Sequence, residues 1–122
     1  MKRILIAGIL GVAELCRAGI TDSQAVSAII GEGGGESLKT QTMIADVIRN
    51  RGSLRGVYGA SNPVVAKASP KVRARALEAW RASAVQDLTH GLKYFGCAGD
   101  ATYFRHIGLH PAMVSGAITF WK

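Results

Sequence analysis

Only eight carboxyl side chains are available to this chain of 122 residues for acid–base work: Glu14, Asp22, Glu32, Glu36, Asp46, Glu78, Asp87 and Asp100. Most have ordinary roles open to them. Asp22 falls in a helix first turn, where the helix dipole favours a negative charge. Glu78 reads as a solvated helix charge, Asp46 as a residue facing out from its helix, and Asp87 and Asp100 as turn residues. Glu32 differs, because it closes an apolar helix immediately before Gly33, Gly34 and Gly35. Half burial there would penalise the charged form, and the negative end of the helix dipole acts in the same direction. A glutamate lifted toward neutral pH is the group that general-acid cleavage of a glycosidic bond requires. On position alone, a plain helix-terminal charge explains Glu32 equally well.

The remaining chemistry is sparse. Cys16 and Cys97 are too few for a disulfide framework and carry no Cys-x-x-Cys spacing. His90, His106 and His110 lack the i, i+4 spacing of a helical metal pair, so no metal site is expected. Tyr94, Phe95, Tyr103, Phe104 and Trp121 could stack on the apolar faces of sugar rings or simply fill a core; Tyr94 and Tyr103 suit a wet groove wall best, since their hydroxyls tolerate water. Asn50 reads either as a helix cap or as a substrate contact.

The elements that would hold these groups are legible in outline. Thr21 and Gln24 stand in capping-box relation ahead of a helix over about 22 to 32. The three glycines should end it abruptly, by low helix propensity and access to positive φ. A second helix is expected from Leu38 to Asn50, with Ser37 as N-cap, an apolar stripe of Met43, Ile44, Val47 and Ile48, and Gly52 as stop. Residues 52 to 68 read as loop. Ser69-Pro70 opens a third helix to about Ala84, with Val72, Ala76, Leu77 and Trp80 inward. Beyond a turn at Asp87 to Gly91, strands are expected at Leu92 to Phe95, Ala101 to Phe104 and Ala117 to Trp121. Helices followed by short strands define an α+β class, mainly helical, with a small antiparallel element near the C-terminus.

Composition sets outer bounds. An apolar content of 48% and a charged content of 19% belong to a globular domain. A formal charge of +7 favours an anionic partner, be it nucleic acid, anionic membrane or bacterial cell wall. Lys2 and Arg3 precede the apolar run Ile4 to Ala13, and Cys16-Arg17-Ala18 offers small residues where a signal peptidase reads. Residues 1–18 are therefore a signal-like segment or an extra N-terminal helix, too short to span a bilayer, and residues 19–122 form the domain proper.

Two blocks carry a family resemblance. The run Ala28-Ile29-Ile30-Gly31-Glu32-Gly33-Gly34-Gly35-Glu36-Ser37, with the following Gln41 to Arg51, resembles the signature of the spore-cortex-lytic and cell-wall hydrolase family. In that signature two glutamates flank a small glycine-containing turn, and a helix ending in Asn-Arg follows. Asp87-Leu88-Thr89-His90-Gly91-Leu92-Lys93-Tyr94-Phe95 is similar to the family's Asp-x-Thr-x-Gly segment. The chain departs from the pattern where Gly33-Gly34-Gly35 replaces Ala-Arg-Gly, and where Ile118 stands in place of a histidine.

The resemblance implies a lysozyme-like fold and cleavage between N-acetylmuramic acid and N-acetylglucosamine, usually by lytic transglycosylation without metal or cofactor. Glu32 matches the catalytic glutamate; Glu36 matches the second, with capping of the turn and substrate contact both open to it. It further implies peptidoglycan strands as partner, and export to the cell envelope or action by a phage on its host's wall. Two other functions compete. A non-catalytic wall-binding or phage structural protein could keep the fold without turnover. A nucleic-acid-binding module could use a basic face of Arg49, Arg51, Arg55, Lys71, Arg73, Arg75 and Arg81, although no zinc-finger, RNA-recognition or helix-turn-helix signature accompanies it.

Overall fold

A computed structural model describes residues 19–122; the signal-like segment over 1–18 lies outside the described residues. The described chain is α+β, with four α-helices and a three-stranded antiparallel sheet.

Helix α1 (Asp22–Gly33) begins with the expected capping box: the Gln24 amide donates to Thr21 Oγ1 at 3.1 Å, and the Thr21 amide to Gln24 Oε1 at 2.9 Å. It ends within the three glycines as expected, but without the positive φ expected of them. The helix continues through Gly33, and Gly34 caps it in right-handed conformation (φ −60°, ψ −27°) rather than at positive φ. The C-terminal carbonyls are satisfied by Gln41, a fully buried side chain whose Nε2 donates to Gly33 O at 2.9 Å and Gly34 O at 3.3 Å. With that donor supplied from the next helix, a left-handed glycine cap is unnecessary.

Helix α2 (Leu38–Arg51) is capped by Ser37, whose Oγ accepts from the Thr40 amide, and is closed by Gly52 in the left-handed region at φ 73°. It is the central element, buried without interruption from Thr40 to Ile48. Helix α3 (Pro70–Ser83) starts at Ser69-Pro70 as expected. It packs across α2 and α1, with Ala76 and Trp80 fully or nearly buried and Val72 and Leu77 partly so. Arg49 seals the α2–α3 seam: its guanidinium lies 3.6 Å from the centre of the Trp80 ring and donates to Ser83 Oγ and Trp80 O.

Asp46 contradicts the outward orientation expected of it, being 1% exposed. Its Oδ2 accepts from the Leu88 amide at 2.8 Å, 42 residues away, so the carboxylate turns inward to hold the 87–91 turn. Two short 3₁₀ turns, Gly59–Ser61 and Pro63–Val65, punctuate the expected loop, and the first lies along α1.

The sheet consists of β1 (Tyr94–Gly96), β2 (Pro111–Ser115) and β3 (Ile118–Trp121), in the order β1-β3-β2. Tyr94 pairs with Trp121 and Gly96 with Thr119, while β2 carries a bulge between Pro111 and Met113. The strand expected at Ala101 to Phe104 is instead helix α4 (Ala101–His106). The Asp100 carboxylate accepts from the Cys97 amide at 2.9 Å, which starts a helical turn that the aromatic-rich composition does not announce. Strand β2, not expected from sequence, completes the sheet in its place.

Ile29, Ile30, Met43, Ile44, Val47, Ile48 and Phe120 form the centre of the core. Each buried side chain of this size stabilises the fold by roughly 1.5–3 kcal/mol relative to exposure. Among the described residues no helix is long and apolar enough to cross a membrane.

Candidate active site

Gly31 lies in the last turn of α1, and at this point the 59–61 turn touches the helix backbone to backbone. A Cβ on Gly31 would coincide with the Gly59 carbonyl, and one on Gly59 would come within 2.7 Å of the Glu32 backbone nitrogen and Cγ. Asn62 holds the same contact from the side, donating from Nδ2 to Gly31 O at 3.4 Å. The two glycines thus allow a chain segment to lie directly against Glu32. In the triple-glycine turn a Cβ on Gly33 would meet Ile44 Cδ1 at 2.6 Å and one on Gly34 would meet Ile30 O at 2.7 Å, whereas one on Gly35 would meet nothing within 4 Å.

Glu32 stands on a saddle between two troughs. The first, about 480 Å³, is lined by Glu32, Arg51, Tyr58, Tyr94, Asp100 and Tyr103, with Phe95, Phe104 and Ile107 among the apolar walls. The second, about 690 Å³, runs past Glu32, the Gly33–Gly35 turn, Glu36, Asn62, Val64 and Lys67. Half-burial pushes the Glu32 carboxyl above the ordinary glutamate range; the backbone amides of Gly59 and Tyr58 oppose that rise, and the negative charge of Asp100 adds to it. A carboxyl that is accessible, half-desolvated and shifted upward keeps its proton to higher pH than an ordinary glutamate, as a general acid requires.

The groove walls are aromatic and unusually exposed. Tyr58 is 78% exposed and Tyr103 62%, and both face the first trough. Tyr94 sits edge-on to Phe104 with ring centres 6.3 Å apart, and Phe104 leans on the buried Trp121 at 5.3 Å. Of the aromatics expected to divide between groove and core, Tyr94 and Tyr103 line the trough while Trp121 is core. Nothing in its sequence context marks Tyr58, which lies in a stretch that reads only as loop.

Glu36 and Asn50 are both engaged within the protein. Glu36 Oε1 accepts from the Ala117 amide at 3.2 Å and packs against Gly116, whose positive φ of 59° brings the β2–β3 turn onto it. Its carboxylate therefore joins the α1–α2 turn to the sheet while bordering the second trough. Asn50, expected as a cap or a substrate contact, is not the cap. Its Nδ2 donates to Asp87 Oδ2 and Leu92 O, both at 2.9 Å, and toward Thr89 Oγ1 at 3.3 Å. Gly52 supplies the cap, and the amide of Asn50 anchors the segment that leads into Tyr94.

Asp100, a plain turn residue by sequence, does start a turn, yet its carboxylate also lines the same trough as Glu32. The Cys97-x-x-Asp100 spacing is the capping signal that marks it in the sequence. Gly96 makes room for it, since a Cβ there would meet Asp100 Oδ2 at 2.6 Å. Among the described residues no group of three or more histidine, cysteine, aspartate or glutamate side chains could hold a metal ion.

Comparison with known protein families, with curated proteins and with solved structures finds no match to this chain.

Proposed function

We propose that the protein cleaves peptidoglycan glycan strands as a lysozyme-like lytic transglycosylase, with Glu32 transferring the proton in both halves of the reaction. The observation that carries this reading is the position of Glu32: a half-buried carboxyl, shifted upward, on the saddle of a two-trough groove whose first trough is walled by exposed tyrosines. The family resemblance of the Glu32 and Asp87 blocks supports it from the sequence.

In this mechanism the Glu32 carboxylic acid protonates the glycosidic oxygen between N-acetylmuramic acid and N-acetylglucosamine. The C1–O bond breaks, the N-acetylglucosamine end leaves as an alcohol, and the substrate's own acetamido oxygen stabilises the oxocarbenium character at C1. The Glu32 carboxylate then removes the proton of the muramyl 6-hydroxyl as O6 bonds to C1. A 1,6-anhydro ring results, Glu32 is protonated again, and no water is consumed. Tyr58, Tyr94 and Tyr103 would stack on the sugars, and Glu36 and Asn50 would keep the groove in shape.

Asp100 supports a second reading. A hydrolase uses a second carboxyl across the bond, at ~5 Å for retention or ~6.5–9.5 Å for inversion, and Asp100 shares the trough. Digestion of purified peptidoglycan followed by mass spectrometry separates these outcomes. Anhydro-muramyl ends, lighter by one water, establish the transglycosylase, and reducing ends a hydrolase. Binding without any product identifies a wall-binding or phage structural protein.

The nucleic-acid reading finds little support, because the arginines invoked for it are dispersed. Arg49 is engaged at the α2–α3 seam, Arg73 donates to Val65 O, and Arg81 pairs with Asp22 at 3.7 Å. The action we propose is on the wall of a bacterium, by an enzyme exported to the envelope or encoded by a phage.

A further inference from the structure

The groove does not stop at its two troughs. Beyond Tyr94 the first trough opens into a shallow hollow of about 230 Å³ lined by Arg51, Ser53, Arg55, Lys93 and Tyr94. Beyond Gly34 and Gly35 the second opens into one of about 180 Å³ that carries Lys71 and Arg75, with Lys67 on the rim before it. The carboxyls Glu32, Glu36 and Asp100 line the two troughs, beside Arg51 and Lys67, and none lines either hollow. The hollows are therefore purely cationic, whereas the troughs between them carry the acidic groups.

Among the described residues no carboxylate forms an ion pair with the terminal cations; the salt bridge present is Arg81–Asp22, which involves neither end. Arg75 donates only to the Glu36 backbone carbonyl, and Arg51 to the carbonyls of Lys93 and Arg55.

We infer that the two ends are anion subsites for the carboxylates of the peptide stems, so that the preferred substrate is glycan still carrying its acidic stems; this rests on the glycan-cleaving reading above. The amino-sugar backbone that crosses Glu32 is uncharged, and stems leave it only from the muramyl residues. A strand laid across the saddle then puts neutral sugar over the acidic middle and carboxylates on either side of it. A nucleic acid fits poorly, because its continuous phosphates would have to pass Glu32, Glu36 and Asp100.

The test uses soluble glycan strands free of teichoic acid, either stem-bearing, with the cross-links cut by an endopeptidase, or stripped of stems by an amidase. Stripping leaves a single lactyl carboxylate close to the sugar on each muramyl residue. Binding is measured by calorimetric titration of these strands into the full chain and into Glu32→Gln, and cleavage by initial rate with the full chain. Stem-bearing material should bind about 10-fold more tightly at low salt, and the advantage should shrink as added salt shortens the screening length to a few ångströms. Arg55→Gln/Lys93→Gln and Lys67→Gln/Lys71→Gln should each narrow the advantage by about 5-fold, the scale of a pair of exposed ion contacts. Lys39→Gln/Lys122→Gln, which removes the same charge away from the groove, should leave it intact. Equal binding to both materials overturns the inference, as does an equal loss in all three double variants or an advantage that appears only when teichoic acid is retained. Absence of cleavage with stem-dependent binding preserved would instead overturn the catalytic reading alone.

Discussion

Gly31 and Gly59 touch through their backbones, and the contact leaves no room for a side chain on either residue. It sets the 59–61 turn against the last turn of α1 and so positions the Gly59 and Tyr58 amides beside Glu32. Gly31→Ala should therefore destabilise the fold by about 1–3 kcal/mol, the usual range for an overpacked site, and reduce any glycan-cleaving activity with it. Gly35→Ala, where the added methyl meets open space, should be neutral or stabilising by up to about 1 kcal/mol. Chemical denaturation of the two variants checks the pair, and equal stability would remove the argument for the contact.

Glu32→Gln should lower turnover on peptidoglycan by at least about 10²-fold, the scale of a lost general acid, while the protein stays folded. Because burial raises the Glu32 pKa, the acid form persists to higher pH than that of an ordinary glutamate, and the rate should fall as pH rises through the shifted value. A single carboxyl used twice gives only this alkaline limb for the first step. If Asp100 must also be ionised, an acidic limb joins it and the profile becomes bell-shaped. Asp100→Asn should leave the profile one-sided and the anhydro product unchanged if transglycosylation holds.

The buried Asp46 makes stability pH-dependent in a defined direction. Burial, with the charge of Asp87 behind it, pushes its carboxyl up to about 6, against the opposing hydrogen bond from Leu88. The folded state thus holds a proton that the unfolded chain, titrating near ~3.9, releases earlier. The stability contributed is present in full below about pH 4 and is lost as pH rises through about 6, to the extent of roughly 3 kcal/mol. Asp46→Asn should keep the Leu88 contact and flatten that decline. Asp46→Ala should cost about 1–3 kcal/mol by leaving the Leu88 amide unpaired. Urea titrations at pH 4 and pH 8 measure both.

Asn50→Ala removes the donor that joins α2 to Asp87, Thr89 and Leu92. A loss of about 2–3 kcal/mol is expected, since several buried or half-buried acceptors lose one partner together. Hydrogen exchange should quicken over residues 87–92 before it does so in α1. Protection unchanged in that segment would show that the anchor is dispensable.

Tyr58→Ala and Tyr103→Ala make the opposite kind of change. Both side chains are largely exposed, so stability should move by less than about 0.5 kcal/mol. Affinity for glycan fragments should fall by about 5-fold for each, the scale of one aromatic contact of about 1 kcal/mol. Titration by calorimetry tests this without reference to turnover.

Much of the scaffold is legible in the sequence because its signals are local. Thr21 with Gln24, Ser37, Ser69 with Pro70, and Gly52 each act within a few residues, and each begins or ends its helix as expected. What escapes depends on contacts distant in sequence. Asp46 looks solvated until Leu88 arrives from 42 residues away, and Asn50 looks like a cap until the same segment claims its amide. The three consecutive glycines attract notice by composition, yet the backbone-to-backbone contact with the 59–61 turn uses isolated Gly31 and Gly59, which nothing local distinguishes. Ala101 to His106 carries β-type aromatics, and its helical start depends on Asp100 folding back on Cys97. The candidate acid is visible as an exception in the sequence, whereas the trough around it, with Tyr58 and Asp100, exists only after folding.

The saddle under Glu32 has a consequence for where along a chain molecule a cut falls. Since hollows continue on both sides of it, a strand need not present a terminus in order to be gripped, and under the glycan-cleaving reading we propose, scission would fall at interior bonds. Long strands would then be divided into pieces of intermediate length well before small fragments accumulate. The mechanical strength of a wall would fail early in such a digestion, while most of its bonds were still whole.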